Sequence, residues 1–111
     1  MKNVFQKIID EELPCDKVFE NERIIAFKDI APAAPVHILI VPKKHIPNIS
    51  AITAEDGPLM AEIITVANEL AKKFKIEQGF RLLTNNGPMA GQTVFHLHFH
   101  LIGGCHLGPV A

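Results

Sequence analysis

From Val94 to Ile102 the chain alternates without a break. Val94, His96, His98, His100 and Ile102 share one parity, and Phe95, Leu97, Phe99 and Leu101 share the other. Successive side chains of a strand point to opposite faces of a sheet. The stretch therefore predicts a strand with one wholly apolar face and one face carrying a row of imidazoles. Its register is strongly specified, because a slip of one residue would put three imidazoles where four large apolar side chains belong. Such a strand needs a packed core on one side and a polar site on the other.

The remaining elements follow from local signals. Asn3, with Gln6 three positions on, resembles a capping box. Behind it Val4, Phe5, Ile8 and Ile9 form the apolar stripe of a short helix that stops before Pro14. "KVFEN" and "RIIAFKD" read as two strands joined by a tight turn around Asn21 and Glu22. "APAAP" at 31–35 is a stiff connection, since each proline fixes φ and lacks an N–H. "VHILIVPK" follows as a buried strand ending near Pro42. Between Thr53 and Lys75, Leu59, Ile63, Val66, Leu70 and Phe74 recur at helical spacing, with the regular helix starting near Asp56 and Pro58 in its opening turn. That stripe is long for so small a domain, and exposed it would be a large patch for a monomer, which points to a homodimer. "GFRLLTNN" and "TVFHLHFHLI" are the fourth and fifth strands, separated by "GPMAGQ", and Gly103-Gly104 ends the fifth. The order α-β-β-β-α-β-β, with mostly hairpin-length connections, predicts an α+β domain with an antiparallel sheet.

At 111 residues the sequence is expected to form one domain over 1–111, without repeats or linkers. A formal net charge of -1 argues against long nucleic acid or an anionic membrane as partner, and leaves small anionic ligands open. No apolar run approaches membrane-spanning length. The first residues, "MKNVFQKIIDEELP", carry acids and helical periodicity where a signal peptide would be continuously apolar. Cys15 and Cys105 stand far apart in no metal-like spacing, as free thiols would in a reducing compartment, so the cytoplasm is the expected location.

Three readings of the histidine row compete. Satisfied core or surface histidines explain one imidazole well and three in series poorly. Metal binding is chemically reasonable, since His-x-His on a strand can supply two zinc ligands. At ~3.3 Å per residue, however, His96 and His100 stand ~13 Å apart on a straight strand, too far for one ion to take all three. A third ligand would have to come from elsewhere, such as His37, His45 or Cys15. The third reading is phosphorus chemistry. A neutral imidazole is a good nucleophile toward phosphorus, and flanking imidazoles can donate to phosphate oxygens. The adjoining "NNGPMAGQT" fits this reading. Gly87 and Gly91 would let backbone N–H groups approach an anion, and Asn85, Gln92 and Thr93 would add side-chain donors.

With these residues in view the sequence resembles the histidine-triad family, whose signature His-φ-His-φ-His-φ-φ (φ apolar) is matched throughout by "HLHFHLI". "VFQKIIDEELP", "FKDIAPAAPVHILIVPKKHI", "LLTNNG" and "GQTVFHLHFHLIGG" are similar to the Hint branch of nucleotide-binding hydrolases. That resemblance implies a five-stranded antiparallel sheet with two helices, dimerising into a ten-stranded sheet. It implies hydrolysis of purine nucleoside phosphoramidates and related adenylates, with neither metal nor other cofactor. His98 resembles the nucleophile, His100 the donor to phosphate oxygens, His96 the first member of the triad and His37 the fourth histidine beside the site. Gln92, Thr93 and Asn85 match contacts to phosphate and leaving group, with Gly91 in the same loop. Asp29 matches the carboxylate on the ribose hydroxyls, and Phe5, Phe27 and Ile30 the apolar cleft for the base. Periodicity alone makes Phe5 and Phe27 core residues and Asp29 a strand-end acid.

Two departures stand out. The tail "CHLGPVA" has no Trp, where some Hint proteins send a C-terminal aromatic to the partner's active site. Cys15 matches one cysteine of a zinc pair in some relatives, but Glu12 stands where its mate would be. The expected function is thus a hydrolase releasing a purine nucleoside monophosphate through a nucleotidyl-histidine. The alternatives are a nucleotide-sensing interaction protein with incidental catalysis and a dinucleoside polyphosphate hydrolase.

Overall fold

Asn3 begins the first helix, α1 (Val4–Ile9), and its Oδ1 accepts the Gln6 N–H at 2.8 Å. The capping box is only half made, because the Gln6 amide bonds forward to Asp10 at 3.2 Å. The computed structural model describes residues 1–110. Strands β1 (Lys17–Glu20) and β2 (Ile24–Lys28) form a hairpin. Asn21 closes its turn, with Oδ1 accepting the N–H groups of Arg23 and Ile24 at 2.9 and 2.8 Å. β3 (Val36–Pro42) follows the proline-rich connection. A 3-10 turn at Ala54–Asp56 leads into α2 (Gly57–Lys73), with Pro58 in its opening turn and Phe74 as its cap. β4 (Phe80–Leu83) and β5 (Phe99–Gly103) complete the sheet.

The five strands form one antiparallel sheet in the order β1-β2-β3-β5-β4. Alternation assigns its two faces. Ile24 and Ala26, Ile38 and Ile40, and Leu97 and Leu101 join Leu59, Ile63, Val66 and Leu70 of α2 in the main core. Ile25, Phe27, Leu39 and Val41 face the other way and pack with Phe5 of α1. β3 reads as a continuous apolar run because it is buried on both faces.

The fold departs from the sequence expectation at three points. The α2 stripe leaves no large apolar patch for a partner, because Leu59, Ile63, Val66 and Leu70 are buried against the chain's own sheet. The fifth strand does not start at Thr93, since ladder pairing begins only at Phe99. In the continued β3–β5 register the partner of Leu97 would be Pro42, which has no N–H to donate. Leu97 instead donates to the Ile46 carbonyl at 2.6 Å. With the extended geometry lost, Phe95 leaves the core face and is 49% exposed.

Candidate active site

The shared parity of His98 and His100 survives the shortened strand, and both rings lie on the α1 face of the sheet. His37 of β3 sits diagonally from His100, since Leu39 is the residue directly opposite it and Ile102 is opposite His37. His98 and His100 wall one end of a cleft of about 320 Å³ that also takes in Phe5, Phe27, Leu39 and Val94 as apolar lining and Asp29 and Thr93 as polar lining. A cleft of this size and mixed lining suits a small-molecule ligand.

Hydrogen bonds assign the protons on all four rings. His98 Nδ1 lies 2.7 Å from the His96 carbonyl, which can only accept, so Nδ1 carries the hydrogen and Nε2 keeps its lone pair. The Ala33 N–H donates to His37 Nδ1 at 2.9 Å, so the His37 hydrogen is on Nε2. That Nε2–H points at His100 Nδ1, 2.8 Å away, with Asp29 Oδ2 at 3.3 Å. His100 Nδ1 is therefore an acceptor, and His100 Nε2 carries a hydrogen. The stiff 31–35 connection, by presenting Ala33, sets the direction of the whole relay. His96 differs: its Nε2–H donates to the Pro42 carbonyl at 2.8 Å, and the ring is fully buried.

Burial pushes His96 and His98 below the ordinary imidazole range, although the His96 carbonyl and the more distant Asp29 partly offset the shift at His98. His100 falls to about 4, through burial first and then the nearby His98 and His37 rings. At neutral pH the cleft thus holds a lone pair on His98 and an N–H donor on His100, both uncharged. Asp29, His37 and His100 bring ligand-type atoms within 4.8 Å of one another. Metal ligation through His37 Nε2 would require stripping its only proton, because the Ala33 N–H already occupies Nδ1.

The residues singled out from the sequence fall into two sets. Phe5, Phe27, Asp29, Ile30, Thr93, His98 and His100 line the cleft, with Ile30 fully exposed at its rim. His96, His37, Asn85, Gly91 and Gln92 do not line it. Gln92 is 3% exposed and its side chain is engaged with backbone: Oε1 accepts from Gly87, and Nε2 donates to the Pro47 and Val94 carbonyls. Gly87 and Gly91 do adopt positive φ, 88° and 98°. Their N–H groups, however, bond to Gln92 Oε1 and the Pro88 carbonyl, so the glycines do not present them to an anion as expected. Among the described residues, the N–H groups of Thr93 and Val94 have no partner within the chain, and both residues line the cleft. Sequence reasoning missed Leu39, which parity with His37 identifies, Ile8, which the docking of α1 brings to the cleft, and Pro14 and Cys15, which the path after α1 brings there. It also missed Thr84, whose hydroxyl donates to the His98 carbonyl at 2.7 Å.

An antiparallel five-stranded sheet with two helices and a row of tautomer-fixed histidines defines the class of protein. The HIT domain model matches residues 10–107, and the chain belongs to the HIT domain family. A HIT-like protein of Chlamydia pneumoniae is 53% identical over 97% of this chain and 98% of its own length. The purine nucleoside phosphoramidase of Escherichia coli K12 is 43% identical over 98% of this chain and 92% of its own. The crystal structure of a HIT family hydrolase from Legionella pneumophila superposes with a TM-score of 0.94 at 42% identity, covering 96% of each chain.

Proposed function

We propose that the chain is a nucleotide hydrolase that cleaves a purine nucleoside monophosphate from an amine or similar leaving group. The observation that carries this reading is the bare Nε2 lone pair of His98, held by the Nδ1–H bond to the His96 carbonyl and facing the cleft. Attack of Nε2 on the α-phosphorus forms a nucleotidyl-histidine and breaks the bond to the leaving group, which takes up a proton and departs as the amine. Water then attacks the phosphorus and gives up a proton, which releases the nucleoside monophosphate and restores neutral His98. His100 Nε2–H, oriented by His37, donates to a phosphate oxygen as charge builds there, and the Thr93 and Val94 N–H groups serve the same charge. Asp29 accepts the Ala31 N–H at 2.8 Å through Oδ1 and has capacity left for two ribose hydroxyls. Phe5, Phe27 and Ile30 offer apolar surface to the base. His96, on this reading, is a positioning residue. The similarity to the Escherichia coli phosphoramidase supports phosphoramidates as the substrate class.

A homodimer belongs to the same reading. The β1 edge is protected by a bulge between Lys17 and Phe19 and by charged residues. The β4 edge has an unbroken register and carries a single charge, Arg81, beside Phe80, Leu82 and Leu83, all half-buried. Antiparallel pairing of β4 with its own copy is self-complementary and would extend the sheet to ten strands. Light scattering at micromolar concentration should give twice the chain mass, and a stable monomer would remove the claim.

The test of function is a panel of purine phosphoramidates, acyl-adenylates and dinucleoside polyphosphates assayed with EDTA present. Phosphoramidates and adenylates should be turned over at undiminished rate. Turnover of polyphosphates alone, or loss on chelation that zinc restores, would overturn the reading.

A further inference from the structure

Asn3 lies 93 positions from His96 in sequence, yet the two side chains meet, with Asn3 Nδ2 3.4 Å from His96 Nδ1. Both atoms have assigned roles. Asn3 Oδ1 already accepts the Gln6 N–H, so the other amide atom is the nitrogen and can only donate. His96 Nε2 already donates to the Pro42 carbonyl, so Nδ1 can only accept. The contact is a hydrogen bond from Asn3 to His96, and it holds a fully buried ring at both nitrogens.

Asn3 reaches His98 by two routes. Through His96 it fixes the residue whose carbonyl receives the His98 Nδ1–H at 2.7 Å. Through its cap it fixes α1, which places the Phe5 ring edge-on to His98 with centroids 4.8 Å apart and planes at 84°. We propose that Asn3 is a positioning residue for His98, whose single amide caps α1 with its oxygen and holds His96 neutral and Nε2-protonated with its nitrogen. A serine, threonine or aspartate would cap the helix equally well. A carboxylate has no donor, and a hydroxyl carries its one donor on the same atom that caps, whereas the amide gives His96 a donor on a separate atom. The inference rests on His98 being the nucleophile.

Asn3→Asp separates the two roles, because it keeps the cap and the shape while replacing the donor by an acceptor. Facing the carboxylate that this substitution introduces, His96 gains a proton on Nδ1 and becomes an imidazolium. The titratable groups around that ring are otherwise His45, with centroids 5.1 Å away, and His98. A cation there draws charge from His98 and weakens its lone pair. The experiment pairs imidazole 15N spectra of His96 and His98, recorded from pH 5 to 8, with kinetics on a purine phosphoramidate. In wild type His96 should remain the neutral Nε2–H tautomer at pH 7. In Asn3→Asp it should be doubly protonated at pH 7, with helix content retained, kcat down by roughly 10-fold and KM within about 2-fold. Asn3→Thr, whose shorter side chain must cap and donate from a single oxygen, should leave His96 neutral and lower kcat by a few-fold. A His96 titration unchanged in Asn3→Asp, or wild-type kcat in both variants, would overturn the proposal. The spectra need no substrate, so a wild type inert toward every phosphoramidate would defeat the functional reading while the His96 titration still decides the linkage.

Discussion

The two faces of the sheet are built from the same strands and serve different ends. One is covered along its length by α2, a helix of 17 residues, and its core positions are aliphatic or aromatic throughout. The other is covered at one end by α1, a helix of 6 residues, and the uncovered remainder is the cleft with His98 and His100. A long helix over one face leaves no room for water or ligand. A short one over the other leaves a hole whose walls are still rigid, because the same strands are clamped from behind. The site is polar because its cover is incomplete, and it is precise because the opposite face is complete.

The difference can be broken from either side. His98→Ala removes the proposed nucleophile, and turnover of a purine phosphoramidate should fall by on the order of 10³-fold or more. The thermal midpoint should hardly move, since the ring contributes little to the α2 core. Ile63→Ala should do the reverse. Ile63, on the sheet-facing side of α2, is fully buried, and its truncation is expected to cost ~2–5 kcal/mol in urea denaturation. Its kcat well below the melting temperature should stay near wild type.

Acid should separate the faces by pH. His96, His98 and His100 titrate lower in the folded chain than unfolded, so the unfolded state binds more protons below pH 6.5. Their contribution to stability is complete above about pH 6.5 and is lost on the way down to about 4, the His100 value. On the α2 side, Asp56 is held below its ordinary value by Lys44 and then by the Thr53 N–H. Its contribution is lost only as pH falls below 3.8 toward that depressed value. Urea midpoints from pH 8 to 3 should fall in two stages, and His100→Gln should shrink the first stage only.

The smallest effect should come from Phe95. Half-exposed ahead of β5, it should tolerate Phe95→Ser within about 1 kcal/mol, whereas Leu97→Ala, two residues on and buried, should cost ~2–5 kcal/mol. Equal losses in the two denaturation curves would show that the alternation does extend through Phe95.

That pair also marks where the sequence stops being legible. The parity of Leu97, Leu101, His98 and His100 is a local property of extended backbone, and it is readable from residue types alone. So are the Asn21 turn and the start of α2 within one residue of Asp56, because caps and prolines act within a turn. The early start expected for β5 fails on a residue in another strand, Pro42, whose missing N–H ends the ladder. Gln92 is legible as a donor but not as a donor to backbone, since the Pro47 carbonyl that takes its proton lies 45 positions away. Asn3 is readable as a cap, but its second bond, to His96, depends on how α1 docks on the sheet. Local rules reveal which groups are available, and tertiary geometry decides what each group bonds to.

On the proposed reaction path, the open lone pair of His98 becomes bonded to phosphorus. Acid-free rapid denaturation of enzyme mixed with a purine phosphoramidate labelled at the α-phosphorus, followed by peptide mapping by mass spectrometry, tests it directly. An acid-labile nucleotidyl group is expected on His98 in wild type and none anywhere in His98→Ala. A label on His96 or His100, or steady turnover with no protein-bound phosphorus at any mixing time, would contradict it.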